Sequence, residues 1–543
     1  MAPDPDHAVP EDAVARCRAR VAAHGDDARE WVSLGHALWF AGARAEALAA
    51  LEQALAVDPL NADAHNNLGN AALDLGDQPR AIAHYRAALA ARPDHAEGHY
   101  NLGNAYAATG GTAEAIASFG RAIALRADHA GAHNNLGNAL RAEGRIEEAL
   151  ESYRRAIALR PDEVGARHNL AMTLISIHRP AEAAALLTDI VARDPDHAEA
   201  ANNLGGALLA LDRLEEAVDA FARAVAIDPD HAQARFGMGL ALLGLGRFAE
   251  GWAAYEARWR DPRFRDGKDD PAAQRWHGEP LEGRRILLHA EQGFGDTIQF
   301  VRYAPMVQAR GGRVVLRVQA PLTTLLAPLA PVVVAEADAL PEIDLHCPLL
   351  SLPMAFATEM ATVPAPVPYL HADPARVRRL GFLRPAGGRP RVGVAFSGSA
   401  AHTDDPLRSI PAAMFLPPLV AAGVCVHVAQ TDLRAEDARA VMALPDVDYH
   451  GNDLASFADT AALLSRMDLV ISVDTSIAHL AGAMGLPTWI LLQHAADFRW
   501  MRGRTDSPWY PTARLFRQET SGDWEAVLRR VAEALRGFQP NSG

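Results

Sequence analysis

Cysteine is scarce. Cys17, Cys347 and Cys425 are the only three in 543 residues, far apart and odd in number, with no CxxC pair. That argues against a disulfide framework or a cysteine-built zinc site and favours a reducing compartment. A basic excess is missing as well: 52 Lys and Arg face 67 Asp and Glu, a net charge of -15. Nonspecific nucleic-acid or anionic-membrane binding wants the opposite sign. No run of about 18 apolar residues exists, so no integral membrane segment is expected. The start, MAPDPDHAVPEDA, is acidic and proline-rich, without the basic and apolar regions of a signal peptide. These absences lead us to expect a cytoplasmic protein with no nucleic-acid partner. Two nucleotide motifs also fail. GxxxxGK[ST] does not occur, and Gly293-Phe294-Gly295 opens a GxGxxG whose third position is Ile298. No acidic residue ends the strand that follows, which argues against a nicotinamide cofactor.

What the first half has is a repeat. Leu34-Gly35, Leu68-Gly69, Leu102-Gly103, Leu136-Gly137, Leu170-Ala171, Leu204-Gly205 and Met238-Gly239 recur every 34 residues. Ala47, Ala81, Ala115, Ala149, Ala183 and Ala217 follow in phase, each with a large residue four positions later, and Pro59, Pro93, Pro161, Pro195 and Pro229 close most units. Small residues sit where two helices cross, the large one fills the next hole, and proline stops the second helix. These positions resemble the tetratricopeptide repeat. They predict an α-solenoid of seven hairpins over residues 28–265, behind an N-terminal tail and a capping helix within 1–27. The seventh unit departs, with Gly251, Tyr255 and Arg258 where the pattern wants Ala, an aromatic and Ala. GWAAYEARW reads as a hairpin adapted to pack on the next domain.

Asn67, Asn101, Asn135, Asn169 and Asn203 form a ladder at the same period, with Asn70, Asn104 and Asn138 one turn later. An amide offers both donor and acceptor, which suits binding an extended peptide backbone in the groove; bonding between helices is the alternative. His65, His99 and His133 share the period, but repeats stand about 10 Å apart, too far to share a zinc ion with bonds near ~2 Å.

After a charged, proline-rich linker at 266–283, strands and helices alternate, which predicts parallel sheets. One series, over 284–385, runs Arg285–Ala290, Val314–Val318, Val332–Ala335 and Leu345–Cys347. A second, over 386–543, runs Val392–Phe396, Val424–Ala429, Asp468–Val473 and Thr488–Leu492, with Leu515–Phe516 near the last edge and a closing helix at Asp523–Arg536. The expected class is therefore an α-solenoid followed by an α/β GT-B fold of two Rossmann-like domains around a cleft. DLVISVDTSIAHLAGAMGLPTWILL (Asp468–Leu492) is the most informative stretch. It reads as strand, capped turn, helix and strand, a βαβ unit whose helix N-terminus suits an anion.

HAEQGFGDTIQFVRYAP (His289–Pro305) and SVDTSIAHLAGAMGLPTWIL (Ser472–Leu491) together resemble the heptosyltransferase-like family 9 glycosyltransferases, in the bacterial branch fused to tetratricopeptide repeats. The similarity spans about Arg284 to Gln518. It implies an inverting, metal-independent transfer from a nucleotide-sugar, with no further cofactor. It implies Asp296, after Gly295, as the catalytic base, the alternative being a helix cap. Asp474, Thr475 and His479 match the family's Asp-Thr/Ser-Gly-x-x-His pattern, and Ser476 stands where that pattern has Gly.

Ser397-Gly398-Ser399 reads as a phosphate-facing loop. Arg408 is the candidate cation for the leaving diphosphate, or else an ion-pair partner of Asp404 or Asp405. His402 and Ser409 flank it. Gln430 ends a strand and is a candidate for the base or ribose. Asp459 and Thr460 read as a helix cap. Asp497, Trp500 and Ser507–Pro511 make an aromatic loop that stacks on a ligand or packs internally. Asp446-Val-Asp448 resembles a metal-binding DxD, but on an expected edge strand of the wrong architecture, and is discounted. The acceptor is expected to be a protein or peptide held by the repeats. An envelope glycan acceptor and a non-catalytic scaffold are the alternatives.

Overall fold

The computed structural model describes residues 11–261, 273–380, 383, 386–400 and 405–539. The chain divides into two compact units, 1–195 and 196–543.

The first unit is a stack of helical hairpins. Its alanine-rich sequence favours helix at every exposed position. Glu11–Ala23 forms the capping helix, with Val14, Cys17 and Val21 against Leu34 and Leu38. The hairpins follow, for example Ala62–Asp74 with Gln78–Ala91. Asn61 caps the first of these by accepting from the Ala64 N–H at 3.0 Å, and Asp77 caps the second. Each hairpin turns at a residue with positive φ: Gly42, Gly76, Gly110 and Gly144 at +76° to +80°, and His178 at +58°. The Leu-Gly signature has a steric cause. A Cβ on Gly69 would stand 2.6 Å from the Tyr85 ring, and Gly103 and Gly137 meet Phe119 and Tyr153 in the same way. Those three rings are fully buried.

The second unit begins with two more hairpins, Ala198–Ala210 with Leu214–Ile227 and Ala232–Gly244 with Phe248–Tyr255. Two parallel sheets follow. The first holds β1 (Gln274–Arg275), β2 (Arg285–His289), β3 (Arg313–Val318), β4 (Val332–Ala335) and β5 (Leu345–Pro348) in the order β1-β5-β2-β3-β4. The second holds β6 (Arg391–Ala395), β7 (Cys425–Val428), β8 (Val447–Tyr449), β9 (Leu469–Val473), β10 (Thr488–Leu492) and β11 (Ala513–Arg517) in the order β11-β10-β9-β6-β7-β8. Counted from β6, that is the doubly wound order 3-2-1-4-5-6. Its direction reverses between β6 and β9, and the first sheet reverses between β2 and β5. Ligands collect in the crevice at such switch points, beyond the carboxyl ends of the strands.

One expectation needs correction. The stretch 266–283 is not all linker. β1 pairs with β5, and Trp276 and Leu281 are buried in the core. Residues 266–272 lie outside the described residues.

The last hairpin is part of the core shared by the two sheets. Leu243, Phe248, Trp252 and Tyr255 share one buried cluster with strands of both sheets. Trp252 meets Phe300 and Phe498 edge-on at 6.2 and 5.8 Å. Arg258, fully buried, donates through Nε and Nη2 to both oxygens of Glu291 at 2.9 Å, and to Ser351 Oγ at 2.7 Å. Glu291 Oε1 also accepts from the Leu350 N–H at 3.0 Å. Removing one partner strands a buried charge, a loss of about 3–5 kcal/mol. Arg258→Met is therefore expected to lower the melting temperature sharply. Arg258→Met with Glu291→Leu is expected to cost less than the single Arg258 change, a comparison that calorimetry of the full chain decides.

Candidate active site

Strand β2 ends at His289, and the chain turns through Glu291–Gly293 into the helix Phe294–Phe300. Asp296 is the third residue of that helix. Its Oδ2 accepts from the Gly293 N–H at 2.9 Å, which is the capping role. Its Oδ1 pairs with Arg499, from the turn after β10. The carboxylate thus caps and also faces the second sheet. Burial pushes its pKa above the usual carboxylate range, while the Arg499 guanidinium pulls it back.

Across from it, β9 leads into Asp474-Thr475-Ser476. Thr475, in extended backbone, precedes the helix Ser476–Ala483, and its Oγ1 bonds Ser472 Oγ at 3.1 Å. Ser476 has no positive φ, so this turn takes an L side chain without strain. Burial, and then the nearby Asp497 charge, push the Asp474 carboxyl up to about 6. His479 Nε2 stands 3.8 Å from Asp474 Oδ1, and its Nδ1 bonds Tyr510 Oη at 2.9 Å. The ring stacks on Trp500, with centroids 5.3 Å apart. Burial holds this imidazole neutral, its pKa far below the ordinary histidine value.

Gly295 is where the two halves touch. A Cβ there would stand 2.7 Å from His479 Cδ2. Glycine at 295 is required by helix packing, whatever ligand the cleft takes.

Arg408 ends the short helix Asp405–Arg408. Its Nη1 donates to the Asp474 carbonyl at 3.2 Å, and its Nε lies 3.9 Å from Asp405 Oδ1. Asp405 itself pairs with Arg434 and accepts from Ser409 Oγ at 2.7 Å. His402 and Asp404 lie outside the described residues. Gln430, read as a nucleotide contact, is built into the wall. Its amide donates to Ser397 Oγ at 2.8 Å and to the Asp432 carbonyl at 3.1 Å, and it accepts from the Phe396 N–H at 2.9 Å. It braces the loops after β6 and β7. Asp459 accepts from Ser456 Oγ at 2.8 Å and pairs with Arg376. In the aromatic loop, Trp500, Trp509 and Tyr510 are buried and pack the protein's interior.

Asp296, Gly295, Ser397, Arg408, Gln430, Asp474, Thr475, Ser476 and His479 line one cleft of about 1110 Å³. Asp497 and Arg499 line it too. The sequence reading missed Arg499, although it lies between Asp497 and Trp500, both already singled out. Arg499 donates to Asp497 Oδ1 at 2.8 Å as well as to Asp296. The next residues fix its turn: Met501 has φ of +49°, and Arg517 donates to the Trp500 carbonyl at 3.1 Å and to that of Met501.

The asparagine ladder bonds to itself inside the first unit. Asn101 Nδ2 donates to Asn70 Oδ1 at 3.2 Å, Asn135 Nδ2 to Asn104 Oδ1 at 2.8 Å, and Asn169 Nδ2 to Asn134 Oδ1 at 3.0 Å. In the second unit Asn203 accepts from Asn202 at 3.3 Å. Asn67 and its counterparts are half-buried.

Comparison with known proteins agrees with this division. Residues 32–96, 100–164 and 168–232 match the tetratricopeptide repeat family. Residues 430–509, which carry the second-sheet wall of the cleft, match Glycosyltransferase family 9 (heptosyltransferase). The chain thus combines tetratricopeptide repeats with a family 9 glycosyltransferase segment. Protein FlbA of Caulobacter vibrioides is 31% identical over 316 residues, 53% of this chain and 52% of that protein. The chain therefore spans about half the length of this curated relative. Among solved structures it is similar to YrrB, described as a TPR protein with an unusual peptide-binding site, at 26% identity, with 34% of this chain and 95% of that one covered and a TM-score of 0.31. PilW, a type IV pilus biogenesis factor, is 22% identical, with 38% and 96% covered and a TM-score of 0.36.

The close approach at Gly295 yields a direct test. Gly295→Ala overpacks the helix contact and is expected to cost about 1–3 kcal/mol of stability. Adding His479→Ala removes the obstructing ring, so the double variant should lose less than the two single losses summed. A double-mutant cycle in denaturant measures the coupling.

Proposed function

We propose that the protein is an inverting glycosyltransferase, with a nucleotide-sugar in the cleft and an acceptor polypeptide recruited by the repeats. The observation that carries this reading is the position of Asp296 and of the Asp474–Ser476 turn. They face each other from the switch points of two parallel sheets, where a ligand has room. The sheets then serve as the two Rossmann-like halves of a GT-B fold, with 284–385 on the acceptor side and 386–543 on the donor side. The family 9 match over 430–509 supports the transferase class.

In the transfer, an acceptor hydroxyl oxygen attacks the anomeric carbon from the face opposite the diphosphate. The bond from that carbon to the diphosphate oxygen breaks, its electron pair leaves with the nucleotide, and the hydroxyl proton passes to Asp296. A single displacement inverts the anomeric centre. Burial raises the basicity of Asp296, and Arg499 keeps it ionised until the proton arrives. Arg408 and the N–H groups opening the helix Ser476–Ala483 meet the charge on the leaving diphosphate. Ser397 and Ser476 add hydroxyl donors, Thr475 fixes the turn and Gln430 holds the wall. No step is routed through a metal ion.

A second cavity of about 510 Å³ supports recruitment by the repeats. Asp212, Leu214 and Leu240 of the last two hairpins line it, and it shares Arg408, Asp474 and Asp497 with the cleft. An acceptor entering there reaches the reacting end of the donor. The ladder Asn67, Asn101, Asn135, Asn169 and Asn203 is the candidate set of backbone-binding amides, in competition with the bonds the ladder makes to itself.

The deciding experiment incubates the full chain with a panel of nucleotide-sugars and cell protein, following both nucleotide diphosphate release and sugar on protein bands. Asp296→Asn is expected to lower turnover by about 10²–10⁴-fold while leaving donor binding intact. Alanine in place of the ladder asparagines is expected to raise the acceptor KM without changing donor affinity. Sugar on an envelope glycan in place of protein overturns the polypeptide acceptor. Absence of turnover with every donor makes the chain a binding scaffold.

The site also predicts a pH dependence. The folded state holds the Asp474 proton between its ordinary value of 3.8 and about 6. The stability from this group is fully present below that ordinary value and is lost as pH rises through about 6. Above about 6 the carboxylate also repels the donor's diphosphate. Nucleotide-sugar affinity is expected to rise as pH falls through about 6, and Asp474→Asn to flatten that profile. Titration calorimetry with the intact nucleotide-sugar, which has no ionisation of its own in this range, reads the difference.

A further inference from the structure

The edge of the second sheet carries a group that the transfer reaction does not use. His427 lies on β7 and Asp448 on the edge strand β8, paired across the ladder in register. Partners in register put their side chains on the same face of a sheet, and His450, two residues beyond Asp448, follows on that face. His427 Nδ1 stands 3.0 Å from His450 Nε2 and 3.7 Å from Asp448 Oδ2. One ligand atom from each of the three residues lies within 4.8 Å of the others. Ligand atoms around a tetrahedral zinc, with bonds near ~2.0–2.1 Å, are about 3.3 Å apart. The two separations from His427, 3.0 and 3.7 Å, bracket that value.

The environment suits an ion. The histidines are 1% and 5% exposed, while the Asp448 side chain keeps 18% of its surface at the sheet's edge, which gives a path in from solvent. The other buried histidine pair of the catalytic half, His289 Nε2 and His346 Nδ1 at 3.2 Å, has no third such ligand among the described residues. The Asp446-Val-Asp448 motif was set aside as a pair of aspartate ligands, and it is not one: Asp446 turns to Arg389 at 3.3 Å. Asp448 alone faces the histidines. Two imidazoles and one carboxylate are the nitrogen and oxygen donors of zinc and its neighbours, not of calcium or magnesium.

We propose that His427, Asp448 and His450 bind one divalent transition-metal ion of the zinc class, with water completing the shell. The ion is structural. It lies outside the residues that line the cleft, but it braces the two loops forming one end of it. Ala429–Arg434 leaves β7 directly after His427, and the segment from Leu454 to Phe457 follows His450. The two loops are already drawn together. Tyr449 Oη donates to the Thr431 carbonyl at 2.6 Å, and a Cβ on Gly451 would collide with the Gln430 carbonyl.

The test needs no donor or acceptor, so it stands apart from the transferase reading. The full chain is stripped with a chelator, incubated with Zn²⁺, desalted and assayed for metal by mass spectrometry. One equivalent per chain is expected, together with a rise in melting temperature. His450→Ala is expected to lose that equivalent. Asp448→Asn, isosteric and partly exposed, should keep the fold and weaken Zn²⁺ binding on the order of tenfold or more. In the wild type, Co²⁺ should give the strong visible absorption of four-coordinate cobalt. A wild type that retains no more Zn²⁺ than Asp448→Asn, or a cobalt spectrum of the six-coordinate kind, overturns the site and leaves a hydrogen-bonded histidine pair.

Discussion

The two-sheet part of the chain is tied to the last hairpin by a buried charge pair that a repeat protein has no need of. Arg258 and Glu291 each cost several kcal/mol to remove from water. That cost is offset because the guanidinium meets both carboxylate oxygens, and the remaining capacity goes to Ser351, Glu256 and the Leu350 N–H. The pair sits two residues before Gly293, so the orientation of the turn carrying Asp296 is set from the end of the solenoid. Tyr255 adds to this, its hydroxyl accepting from Gln292 Nε2 at 3.2 Å. The last hairpin is therefore a structural part of the two-sheet core. Its breaks in the repeat pattern, Gly251 and Arg258, are the price of that union. Gly251 packs against Leu243, and a Cβ there would stand 2.8 Å from that side chain.

The cleft resolves a conflict between the chain and its proposed ligand. Under the proposed function, a protein of net charge -15 receives a diphosphate. Within the cleft, four carboxylates, Asp296, Asp432, Asp474 and Asp497, share the wall with Arg408, Arg434 and Arg499. Arg499 is shared by Asp296 and Asp497, which neutralises much of its charge. Asp474 is left beside Arg408 with no strong partner for its carboxylate, and burial raises its pKa to about 6. A carboxyl that readily takes a proton removes one negative charge from the path of an anion and becomes a donor to it. Of the carboxylates that remain, Asp296 is on the side where the proposed transfer delivers a proton.

Much of the fold is legible in the sequence because it is periodic. The 34-residue period, the Leu-Gly crossings and the β-branched runs come directly from side-chain volume and helix or strand geometry. β1 escaped because two residues carry no periodicity; only its pairing with β5 makes it a strand. The lining of the cleft was legible where local chemistry announces itself, at Gly295-Asp296 and Asp474-Thr475. It was not legible where distant segments meet. Nothing near Arg499 in sequence indicates that Asp296, about two hundred residues earlier, will be its partner. Gln430 shows the converse: an amide at a strand end looks ready for a ligand until the Phe396 N–H and Ser397 Oγ are found to occupy it.

Ser476 and Gly295 show why one motif glycine is replaceable and another is not. The family pattern has glycine at the helix start, where backbone approaches phosphate. At Ser476 the backbone is ordinary and the side chain lines an open cleft, so a hydroxyl costs nothing there and adds a donor to the wall. At Gly295 the neighbour is protein. His479 lies against it, held from behind by Tyr510 and Trp500, and has no room to retreat. Steric demand for glycine therefore lies at the seam between the sheets and not at residue 476. The histidine of the same motif then acts as the fixed surface on which the turn bearing Asp296 is aligned.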